Sequence, residues 1–417
     1  MKNRLVRNTF YLYLMTGVKM IFPLITLPYL TRVLSVNDYG FVAYVKTFTS
    51  YIQLVLDFGF LLSATKTIAI LFANKSTDQM EKIGRVVGDT TCEKAILAFL
   101  AGIVTILSAL FIPILQENFL FTLLYYISCV ITIFLPDYLY RGIERMEYVA
   151  VPYTAAKTVV VVLTILLVKN DSDLLLIPLL EIAGNSVAAF VSLFFFRKLN
   201  IRISVSGFRK WLDDLIDSGI YFVSNFATSL FGAMTTIVVG IYMSKSNVAY
   251  WSICMQIVSA AKAMYSPIAN SVYPYMVTNK DMKLIHRIVV IVTGPMILGT
   301  VIVLFFGKKI LMVIGGSDYG YAGYVLKFLL PVLIASFYSM LYGWPVLGAI
   351  GKIRETTVST IIAALIQIIG IFILVLTKNF NLITLAICCS ISETFLLVIR
   401  YYIFIKARND ESIKYLV

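Results

Sequence analysis

The sequence predicts an all-α integral membrane protein with twelve transmembrane helices arranged as two six-helix lobes. Composition is the first reason. Of 417 residues, 60% are hydrophobic and 14% are charged, whereas soluble chains carry about 25% charged residues. No soluble core could bury that much apolar surface. The second reason is the recurrence of apolar runs of roughly 20 residues or more, the length that crosses about 30 Å of hydrocarbon as a helix. The third is the placement of Lys and Arg. Connections on one side of the runs hold twenty-one of them, and connections on the other side hold six. Basic residues collect on the cytoplasmic side of membrane proteins. Both termini are therefore expected in the cytoplasm, which twelve spans allow and eleven do not. The net charge of +13 then reports topology, and no nucleic-acid partner is expected.

The elements follow in order. The first run, 9–31, is too long for a signal-peptide core and lacks a small-residue cleavage site, so it is expected to remain as span one. The second, 40–72, is longer than a span requires. Gly59 inside it predicts a tilted or broken helix. Runs 92–114, 119–139, 149–168 and 174–196 complete an N-terminal lobe, 1–196. The connection 197–217 falls at the midpoint and contains "GFRKWLDDLIDSG", an amphipathic stretch expected to lie at the membrane interface. Asp213, Asp214 and Asp217 could be taken for a sugar-nucleotide metal site, but acids near a helix start are an ordinary solvated feature. Runs 218–243, 248–276, 288–314, 322–348, 357–377 and 382–405 form a C-terminal lobe, 218–405, followed by a cytoplasmic tail, 406–417. Gly307 is a candidate break in the long run 288–314. Offsetting the chain by about 207–210 lays "SVNDYGFVAYVKTF" on "KSNVAYWSICMQIV" and "YRGIERME" on "LGAIGKIR". These weak matches keep the same topology, as parallel repeats about an axis normal to the membrane would.

Eight basic residues lie in or at the edges of the runs. Lys66, Lys94, Lys327 and Arg400 are near run ends and can extend their head groups to the interface. Lys19, Lys46, Lys157 and Lys262 lie deeper. A lysine at the centre of a bilayer helix costs ~2.5–3.5 kcal/mol on insertion scales, so such residues face a bundle interior or a wet cavity by default. Spacing supports a shared path. Thr16, Lys19, Pro23 and Thr26 recur at three- and four-residue intervals. Lys46, Ser50, Gln53 and Asp57 do the same, as do Tyr221, Asn225, Thr228, Gly232 and Thr235, and then Gln256, Ser259, Lys262, Ser266 and Asn270. Each set covers one helix face. Polar stripes also serve as interhelical glue, but lysines on three of the four favour a hydrated cationic path. Lysine is a compact point charge that suits a phosphate-bearing passenger.

The deep acids are Asp57, Glu93, Asp137, Glu181 and Glu393. Asp57 lies three turns along the same face from Lys46. Glu181 and Glu393 are mid-span and could carry a coupling proton or sodium ion, although compensation of a lysine is the plainer reading for each. No catalytic residue, metal site or other cofactor is expected. The five cysteines fall in or beside apolar runs, the sole histidine is His286, and no pair has metal-ligand spacing. They read as free, buried thiols.

The segments "LTRVLSVNDYGFVAY", "LVLDFGFLLSATKTIA" and "LPDYLYRGIERM" resemble the Wzx-type polysaccharide repeat-unit flippases, part of the MATE-like superfamily of multidrug and lipid-linked oligosaccharide exporters. The matching residues are Tyr39, Gly40, Phe58, Gly59, Phe60, Ser63, Ala64, Thr65, Lys66, Ile68 and Ala69, then Pro136, Gly142, Glu144, Arg145 and Met146. Lys66 stands where arginine is common and keeps the charge, so it joins the candidate path. Tyr138 and Arg141 stand where tryptophan and glutamine are frequent. The resemblance is close over the N-terminal third, and beyond it rests on span count and length. It implies a bacterial inner-membrane transporter with two lobes around a central cationic cavity. It further implies movement of an undecaprenyl-pyrophosphate-linked oligosaccharide, an O-antigen or capsule repeat unit, from the cytoplasmic to the periplasmic leaflet. Membrane lipid, a polysaccharide polymerase and a chain-length regulator are the implied partners.

Two other classes compete with this reading. An ion-coupled multidrug exporter of the same superfamily should favour an acidic cavity, whereas the deep residues here are mainly basic in the N-terminal half. A membrane-embedded glycosyltransferase or polymerase needs acids or arginines on a substantial aqueous loop, and the external connections are short.

Overall fold

The computed structural model describes the backbone of residues 2–74, 78–199 and 201–409. It describes their side chains apart from 2–6, Thr9, 224–225, 227–233, Asn270, Pro274, Thr278 and Asn409. Lys75 and the tail beyond Asn409 lie outside the described residues. All described regular structure is helical, and the chain divides into two compact units, Met1–Ile237 and Val238–Val417.

The first unit opens with α1 (Lys2–Val33), which carries Pro23 and Pro28. Ser35 caps α2 (Val36–Asp57) through its hydroxyl and the Asp38 amide. The long second run is broken where its glycine predicts. Phe58 and Gly59 both take left-handed backbone angles, with φ of 34° and 81°, and α3 (Phe60–Ala73) restarts beyond them. Glycine bears this conformation without steric cost. It also lets another helix press close, since a Cβ on Gly59 would stand 2.8 Å from the Ser218 carbonyl. The Ser63 and Ser218 hydroxyls bond there, and Phe58 stacks on Phe222.

Next come α4 (Gln79–Phe111), the short α5 (Pro113–Gln116), α6 (Phe119–Ile131) and α7 (Asp137–Gly142). They are followed by α8 (Glu147–Leu167) and α9 (Leu176–Lys198). Pro136 cannot donate a backbone hydrogen bond, so α6 and α7 are separated by a 3₁₀ turn and count as one interrupted span. Helices α8 and α9 form an antiparallel hairpin, with α1 against α8 and α6 against α9. Near one end of the unit, Met15, Phe60, Ile68, Ile83, Val87 and Tyr138 share a buried cluster.

The connection is not loose. Residues 201–207 are non-helical, and the segment lies along α4 at "GRVVG". A Cβ on Gly84 would collide with the Arg202 carbonyl oxygen, and one on Gly88 with that of Ser204. Small residues four apart open such a groove on a helix. Asp89, one residue on, fastens the strap by accepting from the Ser206 amide, the Ser206 hydroxyl and the Trp211 indole at 2.7, 2.7 and 2.8 Å. The amphipathic stretch forms the start of one continuous helix, α10 (Phe208–Tyr242). Trp211, its largest apolar side chain, donates its indole N–H to Asp89 of α4.

In the second unit Ser244 caps α11 (Lys245–Asn279), and Asp281 caps α12 (Met282–Gly315). The break expected at Gly307 is absent, and α12 runs through it unbroken. The glycine provides close approach instead. A Cβ on Gly323, in α13 (Ala322–Phe328), would stand 2.9 Å from the Gly307 carbonyl carbon and 2.5 Å from the Lys308 Cα. Helix α14 (Leu330–Leu341) passes into a π-type turn at Tyr342–Gly348, where Gly343 has ψ −115° and Pro345 follows. Helices α15 (Ile353–Leu376) and α16 (Leu382–Asn409) complete the unit and pack on each other.

Ten helical stretches among the described residues are long and apolar enough to cross a membrane. Helices α10 and α11, 35 residues each, occupy the places of the expected seventh and eighth spans.

Candidate functional site

The first unit gathers charge between its helices. Lys157 on α8 donates to the Glu181 carboxylate on α9. Lys46 on α2 is the second cation acting on Glu181 and has no ion-pair partner of its own among the described residues. Lys19 on α1 lies with its Nζ 5.2 Å from the centre of the Tyr153 ring. The charges nearest in effect to it are Asp137, Arg141, Asp57 and Lys157, and none is in ion-pair contact with it. A cation over an aromatic face gains modest electrostatic support while remaining available to an anion.

Asp57 is not the partner of Lys46. It sits at the end of α2, beside the Phe58–Gly59 break, and accepts from Lys94 of α4 at 3.2 Å. Eleven residues along α2 amount to about 16 Å of helix, too far for contact between the side chains. Lys94 itself was expected to reach the interface from a span end. It is instead buried, 6% exposed, and stands over the Tyr138 ring. Its run starts well before residue 92, because α4 begins at Gln79, and this places Lys94 in the helix middle.

The charges that act on one another here are five cations (Lys19, Lys46, Lys94, Arg141, Lys157) and three carboxylates (Asp57, Asp137, Glu181), while the fourth deep acid of these helices, Glu93, is buried on α4 nearest in effect to Asp214, Asp89 and Lys210. The group is net cationic, and Lys19, Lys46, Arg141 and Asp137 make no ion pair among the described residues. Gln53 bonds with Thr132 at 3.0 Å and ties α2 to the end of α6. Lys66 is exposed on α3, with no ion pair among the described residues and no interaction with the group. The hydroxyls of Thr16, Thr26 and Ser50 bond to carbonyls of their own helices, so those positions on the polar stripes are locally satisfied.

The second unit has its own network. Lys262 donates to Glu393 at 2.9 Å, and the other Glu393 oxygen accepts from the Ser339 hydroxyl at 3.1 Å. The Ser339 carbonyl accepts from Arg400 at 2.5 Å, and the same guanidinium bonds Ser359, Thr360 and the Thr356 carbonyl. Arg400 was expected to reach the interface but is 8% exposed. A Cβ on Gly343 would stand 2.8 Å from its Nη1. The guanidinium therefore fills the break after α14, and it adds a bond to the Ser339 carbonyl, which also accepts from the Tyr342 amide. Gln256 is half-buried on α11. The side chains of Asn225 and Asn270 lie outside the described residues.

Each of the mid-span acids Glu181 and Glu393 is thus salt-bridged to a lysine. Sequence spacing held a signal for one of these pairs. Lys157 and Glu181 stand equally far from Lys169, which lies in the turn between their helices, so an antiparallel hairpin puts them at one depth. Asp57–Lys94 and Lys262–Glu393 join elements whose packing no local pattern reveals. The five cysteines are free. Among the described residues no group of three or more His, Cys, Asp or Glu is placed to hold a metal ion.

Residues 5–280 match the family described as polysaccharide biosynthesis protein. A Shigella dysenteriae protein described as a putative O-antigen transporter is 26% identical over 379 residues, covering 88% of this chain and 92% of its own. The fold is similar to that of the lipid II flippase MurJ in an inward closed conformation. The TM-score is 0.66 at 12% identity, covering 95% of this chain and 87% of the other. It is equally similar to an inward-facing multidrug resistance MATE family transporter of the MOP superfamily, with a TM-score of 0.64, 15% identity and 95% of each chain covered. At these identities the structural likeness shows the fold alone.

Proposed function

The chain belongs to the polysaccharide biosynthesis protein family, and from that premise we propose that it is a flippase for a lipid-linked oligosaccharide. The substrate we infer is an undecaprenyl-pyrophosphate-linked repeat unit, passed from the cytoplasmic to the periplasmic leaflet of the bacterial inner membrane. Twelve spans with both termini in the cytoplasm and an alternating-access cycle complete the proposal. The names of the Shigella relative and of the lipid II flippase support this substrate class. The polymerase and chain-length regulator that would receive the product are proposed as functional partners.

The observation that carries the reading is the excess of cations between helices of the first unit. An intramembrane lysine without a carboxylate partner is costly unless it meets water or an anion. Lys19 and Lys46 are such residues, and a pyrophosphate supplies the missing charge. A passenger with positive charge would be repelled, which disfavours a cation exporter. Glu181 and Glu393 are the groups through which a proton or sodium gradient would act, each by releasing its lysine.

The test is reconstitution of the chain with a defined lipid-linked oligosaccharide, with and without ion gradients. Lys19→Ala and Lys46→Ala should each slow transport about tenfold or more at normal membrane abundance, given the worth of a charge-assisted contact. Lys→Arg should retain more activity, and Lys→Glu should be worst, because it repels phosphate where screening is weak. Normal transport by both alanine variants would sink the cationic-path reading.

A further inference from the structure

A second basic feature lies away from this charge group. At the end of α9 is a cleft of about 630 Å³ lined by Leu193, Phe196, Arg197, Ile201, Arg202 and Ile203. We propose that it is a binding site for an anionic bilayer lipid, with the headgroup phosphate held by Arg197 and Arg202.

The two guanidiniums come from different elements, one from the last turn of α9 and one from the strap that follows. Neither has an ion-pair partner among the described residues. Guanidinium is the cation best suited to a phosphate, because its planar donors match two oxygens at once. The backbone that carries Arg202 is fixed. Its carbonyl rests against Gly84, and Asp89 holds Ser206 four residues on. The site is therefore largely preformed, which lowers the ordering cost of binding. Lys198 lies next to it with its Nζ 4.9 Å from the Phe194 ring centre, adding a third positive charge at the rim.

The remaining walls are apolar, and this separates a lipid from a free anion. Val187, Phe190, Leu193 and Phe194 are all exposed on α9. Val187, Phe190 and Phe194 recur at three- and four-residue spacing and lead along one face to Arg197. From Val187 to Arg197 is ten residues, or about 15 Å of helix, which is half of the ~30 Å hydrocarbon core. An acyl chain anchored by its phosphate at Arg197 would thus follow exposed apolar side chains to the mid-plane. Basic pockets beside transmembrane helices take anionic headgroups in this way.

The experiment is native mass spectrometry of the full chain with titrated phosphatidylglycerol, phosphatidylcholine and inorganic phosphate. The wild type should bind phosphatidylglycerol at least about tenfold more tightly than phosphatidylcholine, and millimolar inorganic phosphate should not displace it. The double variant Arg197→Ala/Arg202→Ala should lose that preference, since each basic residue contributes about a fivefold factor at a charged surface. Arg197→Lys/Arg202→Lys should retain much of it, and both variants should elute as folded monodisperse protein. Phosphatidylglycerol binding unchanged in the alanine variant would overturn the proposal. Displacement by inorganic phosphate would assign the site to a free anion instead. A misfolded alanine variant leaves the lysine variant and the lipid comparison to decide, and equal affinity for both lipids would also overturn the proposal.

Discussion

At the scale of single residues, the deep lysines fall into two kinds. Lys157, Lys94 and Lys262 are bonded to carboxylates, whereas Lys19 and Lys46 are not. The two kinds should respond differently to substitution. Removing one member of a buried pair leaves the other charge uncompensated, at a cost of about 3–5 kcal/mol. Lys157→Ala should therefore lower membrane abundance, unlike Lys19→Ala. Lys157→Ala combined with Glu181→Ala should restore abundance, because neither charge is then left alone. Quantitative blotting of membrane fractions checks this. Full abundance in the single variant would mean that water already reaches Glu181. The distinction was not legible in the sequence, where Lys19, Lys46 and Lys157 share the same depth and similar polar neighbours. It depends on which helix faces which. Lys94 shows the same limit from the other direction, since its burial follows from where α4 begins.

At the scale of elements, glycines carry much of the architecture, in three different ways. Gly59 takes a left-handed conformation that ends one helix and starts another. Gly307 and Gly323 let two helices touch. Gly84 and Gly88 make a groove for a strap of chain more than 110 residues later. Only the first was correctly read from sequence, because a glycine in an overlong apolar run signals a break. The same signal at Gly307 misled, since close packing and chain reversal both favour glycine. The groove predicts a large effect at Gly84. A side chain there meets a backbone carbonyl that cannot swing aside, and overpacking of this kind costs about 1–3 kcal/mol. Gly84→Val should lower the thermal unfolding temperature in detergent. Gly299→Ala, where nothing lies within 4 Å of the added carbon, should leave it unchanged or raise it slightly. Equal melting temperatures for the two variants would show that the strap is not held in the groove.

At the scale of the whole molecule, the helical class and the family were legible from composition, loop charge and a few segments of the N-terminal third. Charge counting works because insertion is governed by coarse physics, the expense of apolar length and of buried charge. The packing that distinguishes a paired lysine from a free one is set by contacts between distant segments, and a single sequence does not display it.

The strap has a consequence for how the chain can be divided. The first compact unit includes residues 201–237, so the part of the chain that closes the α4 groove is made after all of the helices it braces. Expressed as two polypeptides, the protein should tolerate a cut between α10 and α11, after Met243, because the groove and its strap then remain on one chain. A cut after Leu199 puts them on separate chains. Docking then becomes bimolecular and forfeits the effective concentration that a short tether provides. Co-expressed 1–243 and 244–417 should accumulate and co-purify, whereas 1–199 expressed with 200–417 should yield a first fragment prone to degradation. Equal yields from the two pairs would mean that the first nine helices stand without the strap.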